Sequence, residues 1–264
     1  MKLEGKTAVV TGGDRGIGRA LAIALAREGA NIVVTYNTNK DAAVKTSNDI
    51  ERLGRRSLVF KVDVRSTSEI KNMIDESTGK FGKIDILVNA AGICSLVGVL
   101  DMSEEEWDSV MDVNMKGTFL CSKYVAKEMI RQKVEGKIVN ISSRAGKIGM
   151  AGIAHYSASK FAVLGFTQAF ALELIKHGIR VNAICPGRTD TDMVKEDVVS
   201  LSRIKNISIE QARKEYAEPI PLGRFATPDE IANVAVFLCS DESRYIIGES
   251  INVTGGLDLT RGGN

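Results

Sequence analysis

Tyr156 and Lys160, in the run His155-Tyr156-Ser157-Ala158-Ser159-Lys160, place a phenol and an ammonium four residues apart. On a helix that spacing puts both on one face. A free tyrosine titrates near ~10 and a lysine near ~10.4, so the phenol alone is a poor proton donor or acceptor at neutral pH. A cation beside it favours phenolate and predicts a tyrosine pKa drawn toward the working range, as general acid–base catalysis needs. The same spacing recurs on ordinary helix surfaces, so the pair gains meaning only beside a second signal.

That signal is Thr7-Ala8-Val9-Val10-Thr11-Gly12-Gly13-Asp14-Arg15-Gly16-Ile17-Gly18-Arg19-Ala20. A short apolar run ends in the spaced glycines Gly12, Gly16 and Gly18, and an amphipathic pattern begins at Ile17. The expected structure is a strand, a tight turn and a helix whose unpaired N–H groups and positive dipole end suit a pyrophosphate. Three glycines alone are a weak motif; a buried strand before them, at the head of an alternating strand–helix chain, makes them informative.

The two signals together resemble the short-chain dehydrogenase/reductase family, over essentially the whole chain. The turn is similar to that family's TGxxxGxG element, and Asn89-Ala90-Ala91-Gly92 to its NNAG element, with Ala90 in place of the second Asn. That position, by the resemblance, braces the central sheet. Asn114, Ser143, Tyr156 and Lys160 match the catalytic tetrad in order and spacing, and Pro186-Gly187 falls at the family's PG turn. The resemblance implies that Tyr156 is the general acid in carbonyl reduction and the base in alcohol oxidation. Lys160 would stabilise the phenolate and hydrogen-bond the nicotinamide ribose, and Asn114 would hold a water that relays protons through Lys160. Ser143 can donate to the carbonyl oxygen where negative charge develops. Ser142 competes for that role, and family spacing favours Ser143.

Cofactor choice turns on the end of the second strand, where NAD-preferring enzymes carry an acid for the adenosine ribose. Here Tyr36 and Asn37 stand at that place, with no carboxylate before Asp41, while Arg15 within the turn can meet a 2′-phosphate. NADP(H) is therefore favoured, with NAD(H) left open. The expected cofactor-binding set is Gly12, Asp14, Arg15, Gly16, Ile17, Gly18, Tyr36, Asn37, Asp63, Val64, Asn89, Ala91, Gly92, Tyr156, Lys160, Pro186, Gly187, Thr189 and Thr191. Asp63-Val64 would bracket adenine, and Thr189 and Thr191 reach the carboxamide and pyrophosphate.

These residues need a frame to hold them. Strands are expected near Thr7–Thr11, Asn31–Tyr36, Ser57–Val62, Ile84–Asn89, Lys137–Ile141, Arg180–Ile184 and Ser250–Val253. Helices fall near Gly16–Glu28, Asp41–Leu53, Thr67–Phe81, Glu104–Arg131, Ala154–His177 and Pro228–Leu238. Nearly pure apolar strands alternating with helices predict an α/β fold: a three-layer doubly wound parallel sheet (Rossmann fold), with ligands along the carboxyl ends of the strands. One domain spanning residues 1–264 is expected, with a variable substrate lid at about 192–221.

Composition narrows the function classes. The 35 basic residues nearly cancel the 33 acidic ones, so no electrostatic footprint for nucleic acid or an anionic membrane exists. Apolar runs are expected to stop at strand length, short of the ~20 residues of a spanning helix. The first residues, Met1 to Lys6, lack the apolar core of a signal peptide. Cys94, Cys121, Cys185 and Cys239 have no C-x-x-C pair and read as free thiols of a cytoplasmic protein. His155 and His177 form no cluster for zinc, so no metal is expected.

The expected reaction is hydride transfer between NADP(H) and a carbonyl or secondary alcohol. The charged, helical lid is longer than in the β-ketoacyl carrier-protein reductases, which points first to a small polar substrate of the polyol, sugar or diol type. A 3-oxoacyl-(acyl-carrier-protein) reductase is the alternative, and a non-catalytic dinucleotide-binding sensor or scaffold the remote one. Ser95, Leu96, Gly149, Met150, His155, Arg188 and Met193 are candidates near the carbonyl. Phe161, Leu164, Phe166, Phe170 and Leu172 spread apolar surface around one helix, more than a single stripe requires. With the family's pairing of the two long helices, this predicts a homotetramer with Phe161 and Phe166 near the helix-pair interface.

Overall fold

The computed structural model describes residues 1–259. In chain order the elements are β1 (Thr7–Thr11), α1 (Gly16–Arg27), β2 (Asn31–Tyr36), α2 (Lys40–Arg52), β3 (Ser57–Lys61), α3 (Thr67–Phe81), β4 (Ile86–Asn89), α4 (Glu104–Met111), α5 (Gly117–Arg131), β5 (Lys137–Ile141), α6 (Ala154–Leu174), β6 (Arg180–Pro186), α7 (Asp192–Lys205), α8 (Ile209–Ala217), α9 (Pro228–Cys239) and β7 (Ser250–Val253). Among the described residues, seven strands form one parallel sheet in the order β3-β2-β1-β4-β5-β6-β7.

Alternation along the strands explains the two covering layers. Ala8, Val10, Ile32, Val34, Ile86 and Val88 pack with α1, α2 and α9. Val9, Val33, Leu87 and Ile138 pack with α3, α5 and α6 on the opposite face. A sheet buried on both sides needs apolar residues at every register position, which is why these strands read as continuous runs. Side chains fix the helix starts: Ser66 accepts from the Glu69 N–H, and Ser103–Glu106 and Thr227–Glu230 form reciprocal caps. The order reverses between β1 and β4, whose following helices lie on opposite faces, and this opens a crevice at their carboxyl ends.

Three expectations about elements are corrected. Strand and helix ends move by one or two residues, with β3 ending at Lys61, β4 starting at Ile86 and β6 running on to Pro186. The stretch Glu104–Arg131 is helical throughout but not uniformly α-helical: a π turn at Asp112–Lys116 shifts the register between α4 and α5. Ala154–His177 closes in a 3-10 turn at Ile175–His177 and, at 24 residues, is long and apolar enough by composition to cross a membrane. The expectation that every apolar stretch stops at strand length therefore fails for this helix, which packs on the sheet through Val163, Ala171 and Leu174. In the lid region, α7 and α8 close over a small core of their own, made by Val194, Val198, Ala212, Ile220, Phe225 and Leu257.

Candidate active site

Two neighbouring serines follow β5, and the structure separates them. Ser142 donates its hydroxyl to the Lys160 carbonyl at 2.9 Å, tying the strand to α6. Ser143 opens a 3-10 turn, where its oxygen accepts from the Ala145 N–H at 3.1 Å, and its side chain also hydrogen-bonds the Tyr156 phenol. Tyr156 lies in the first turn of α6 and Lys160 one turn on. The Lys160 ammonium donates to the Ile141 carbonyl at 2.9 Å and lies 5.5 Å from the centre of the Tyr156 ring.

The electrostatics correct the expected tyrosine pKa. Burial pushes the Tyr156 phenol up to about 12, outweighing the Ser143 hydrogen bond that favours ionisation. Cys94 and Asp197 push in the same direction. Burial also lowers the Lys160 ammonium to about 8. The phenol thus keeps its proton at neutral pH, as a donor to a carbonyl oxygen must.

Asn114 sits at the middle of the π turn and is wholly buried. Its amide donates to the Ile93 carbonyl at 2.9 Å and to Ser159 at 3.0 Å, and accepts from the Ile93 N–H at 2.8 Å. Ser159 in turn donates to the Tyr156 carbonyl at 2.7 Å. The amide therefore clamps the segment after β4 to α6 through protein contacts. A π turn at a functional residue is a recurrent device, since it presents a side chain that α-helical register would rotate away. Ser159 was missed from the sequence; its signal was its place three residues after Tyr156.

The remaining residues form a cradle along the crevice. Gly12 has φ +62, and a side chain at Gly18 would run into the Gly12 carbonyl, so the turn and α1 close tightly on each other. Arg15 precedes α1 without capping it through its side chain, and the first turn holds no acid, so the helix amino terminus stays open to an anion. Thr11 accepts from the N–H groups of Ala90 and Ala91 at 3.0 and 3.1 Å, which joins the two loops at the crevice. A Cβ on Gly92 would stand 3.5 Å from the Lys160 ammonium, and one on Gly16 3.5 Å from Thr191. This open, side-chain-free path from the α1 terminus to Lys160 fits a dinucleotide.

Other expected contacts are modified. Asn89 donates to Ser122 at 2.9 Å and Asn140 at 2.8 Å, so its amide does the sheet bracing expected of position 90 and cannot face a ligand. Tyr36 is packed in the core at the end of β2, which leaves exposed Asn37 and Arg15 as the groups at the surface there. Asp14 is buried, and burial raises its carboxyl pKa. Asp63 is held below the usual carboxylate range by Arg65, 2.6 Å away, and Val64 packs against Gly117. Past β6, where Pro186 pairs with Val253 and the Gly187 N–H donates to the Val253 carbonyl, Thr189 is buried and Thr191 leads into α7. Ile17 packs partly against the core.

Of the candidates near the carbonyl, His155 is fully buried and bonds Ser95 at 2.8 Å, so it cannot touch a substrate. Arg188 is stacked on Tyr216, 3.8 Å from its ring centre, and donates to its carbonyl. Leu96 and Met193 remain exposed. Tyr216 also donates to Asp197 at 3.0 Å, a half-buried lid carboxylate that sequence reasoning did not single out.

Comparison with known proteins agrees with this arrangement. A family profile described as enoyl-(acyl carrier protein) reductase matches residues 12–258. A 3-oxoacyl-(acyl-carrier-protein) reductase of Staphylococcus epidermidis is 40% identical over 252 residues, covering 96% of this chain and 98% of the relative. The crystal structure of a short-chain type dehydrogenase/reductase from Mycobacterium marinum has a TM-score of 0.88 at 34% identity, covering 97% of this chain and 96% of that one. A provisionally assigned gluconate dehydrogenase of Agrobacterium tumefaciens has a TM-score of 0.88 at 33% identity, covering 97% of each chain.

Proposed function

The chain belongs to the short-chain dehydrogenase/reductase family, an oxidoreductase acting on CH–OH groups with a nicotinamide acceptor, and we propose that it reduces a 3-oxoacyl thioester to the 3-hydroxyacyl thioester with NADPH. The observation that carries the substrate is the 40% identity to a 3-oxoacyl-(acyl-carrier-protein) reductase along 98% of that relative. It moves this reading ahead of the small polar substrate expected from the long lid.

When bound, the reduced nicotinamide would supply two electrons and the carbon-bound hydrogen to the carbonyl carbon. Tyr156 gives its phenolic proton to the carbonyl oxygen, and Ser143 donates to the same oxygen as charge builds on it. Lys160 replenishes that proton from its low-lying ammonium, and Asn114 keeps the segment after β4 and α6 in register. Gly12 to Gly18 would receive the pyrophosphate, and Arg15 with Asn37 would receive the 2′-phosphate. Residues 1–264 are read as one domain with a lid at about 192–221, acting in the cytoplasm without metal. The exposed Phe161 and Leu172 on α6 and Ile175 in the turn that closes it, with Phe119 of α5 against Phe166, support a homotetramer built on these helices.

A second reading, reduction of a small polyhydroxylated carbonyl compound, is favoured by Asp197. Its charge reaches Tyr156, and a half-buried carboxylate there can accept from a substrate hydroxyl. A panel of acetoacetyl thioesters, keto-sugars, polyols and diols with NADPH and NADH, read by nicotinamide absorbance, decides. Fastest turnover on the thioester with NADPH is expected; preference for a polyol or keto-sugar would reverse the two readings.

A further inference from the structure

The segment following β4 is tied down at every second residue. Ile93 is clamped through both backbone groups by Asn114. Ser95 is bonded to the ring Nε2 of His155 at 2.8 Å. The Val97 N–H donates to the Gly152 carbonyl at 2.8 Å, and a Cβ on Gly152 would come within 3.0 Å of Leu96. Period-two anchoring leaves the intervening residues free to face away. The chain enters this segment at Gly92, where a Cβ would stand 3.5 Å from the Lys160 ammonium, and of the intervening residues Cys94 is half-buried and Leu96 70% exposed. The segment is thus an anchored ledge beside the reacting groups.

His155 is an unusual choice for the central anchor. It is completely buried, immediately before Tyr156, and its Nδ1 is shut from solvent without a hydrogen-bond partner. An apolar ring would fill that space without an orphaned nitrogen, so packing alone does not account for an imidazole. With nothing for Nδ1 to donate to, the proton belongs on Nε2, and the ring donates to the Ser95 hydroxyl. That bond joins the ledge to the residue beside the proton donor.

We propose that His155 and Ser95 are a positioning pair, fixing the 93–97 ledge against α6 so that Cys94 and Leu96 hold the substrate carbon chain with its carbonyl at Tyr156. The pair acts through the ledge rather than on the reacting atoms, and rests on Tyr156 being the proton donor. A ledge formed by a thiol and a leucine suits an apolar chain better than a polyol.

The test is steady-state kinetics with acetoacetyl-coenzyme A, or with the fastest carbonyl compound of the panel, alongside cofactor binding by nucleotide fluorescence. Ser95→Ala removes the hydroxyl from a half-exposed loop residue. It should raise the substrate KM roughly five- to tenfold, as for loss of one hydrogen bond. The cofactor Kd should stay unchanged, and kcat should move by less than about twofold. Ser95→Thr keeps the hydroxyl and should restore the KM. His155→Leu should raise KM similarly, and Ser95→Ala/His155→Leu should be no worse than either single variant, because both remove the same bond. If His155→Leu does not fold, the contrast between Ser95→Ala and Ser95→Thr decides alone. A wild-type KM in Ser95→Ala, independent additive effects, or a cofactor Kd that shifts with KM would each overturn the pair. Failure of the Tyr156 assignment would show separately, as retained turnover in Tyr156→Phe.

Discussion

The Lys160 ammonium lies 5.5 Å from the centre of the Tyr156 ring while its proton goes to the Ile141 carbonyl at 2.9 Å. In this arrangement burial governs both groups, lifting the phenol to about 12 and lowering the ammonium to about 8. Free in water the two titrate close together; here they are drawn apart, so a phenolate left by proton transfer is refilled downhill from the ammonium.

Tyr156→Phe keeps the ring and deletes the proton. Its kcat should fall by at least the ~10²–10⁴ typical of a general acid, with cofactor affinity little changed. In the wild type, reduction should not vary with Tyr156 ionisation from about pH 6 to about 9, because the phenol stays protonated there. Alcohol oxidation needs phenolate and should climb about tenfold per pH unit over the same range. A bell with its centre near neutrality in both directions would contradict the raised pKa.

Lys160 makes stability depend on pH. Its folded pKa of about 8 lies below the 10.5 of a free lysine, so between them the unfolded chain binds more protons and stability rises with pH. The penalty for burying the ammonium is full below about 8 and gone above 10.5, a change on the order of 3 kcal/mol. Lys160→Met escapes it. In urea denaturation the variant should therefore lead the wild type at neutral pH and lose that lead as pH approaches 10. A gap that does not vary with pH would rule out a depressed lysine.

Arg15→Ala should weaken NADPH more than NADH, since only NADPH carries the extra phosphate. Losing one charge-assisted contact should cost about 1.5–3 kcal/mol, roughly ten- to a hundredfold in Kd. Equal losses for the two cofactors would make Arg15 structural, and a wild-type preference for NADH would overturn the NADP reading.

Asn114→Ala removes an amide that makes three hydrogen bonds to Ile93 and Ser159. The orphaned buried groups should destabilise the fold by about 1–3 kcal/mol, and kcat should fall with substrate KM raised. Thermal melting and kinetics together check it: unchanged stability would mean that the clamp is not formed in solution.

Light scattering at micromolar concentration should give about four times the mass of one chain, and Phe161→Asp should lower it. A single-chain mass for the unaltered protein would remove the tetramer.

Much of this was legible in the sequence. The strands announced themselves because both faces of the sheet are buried, leaving no polar alternation to confuse them. Tyr156, Lys160 and the glycine turn carried their chemistry in their spacing. What escaped was set by contacts between distant segments. Asn89, not Ala90, braces the sheet, because Ser122 and Asn140 arrive from other elements. Ser95 meets His155 across 60 residues. The π turn at Asp112–Lys116 was hidden because its amphipathic flanks read as one helix, and a single extra residue barely disturbs that pattern.

That extra residue has an evolutionary side. A π turn rotates everything beyond it by about 100° relative to ideal α-helical register. Deleting one residue between Asp112 and Lys116 would give back the more regular helix and leave the glycine turn of the cofactor cradle untouched. It would also swing Asn114 away from Ile93 and Ser159, releasing the segment beside Tyr156.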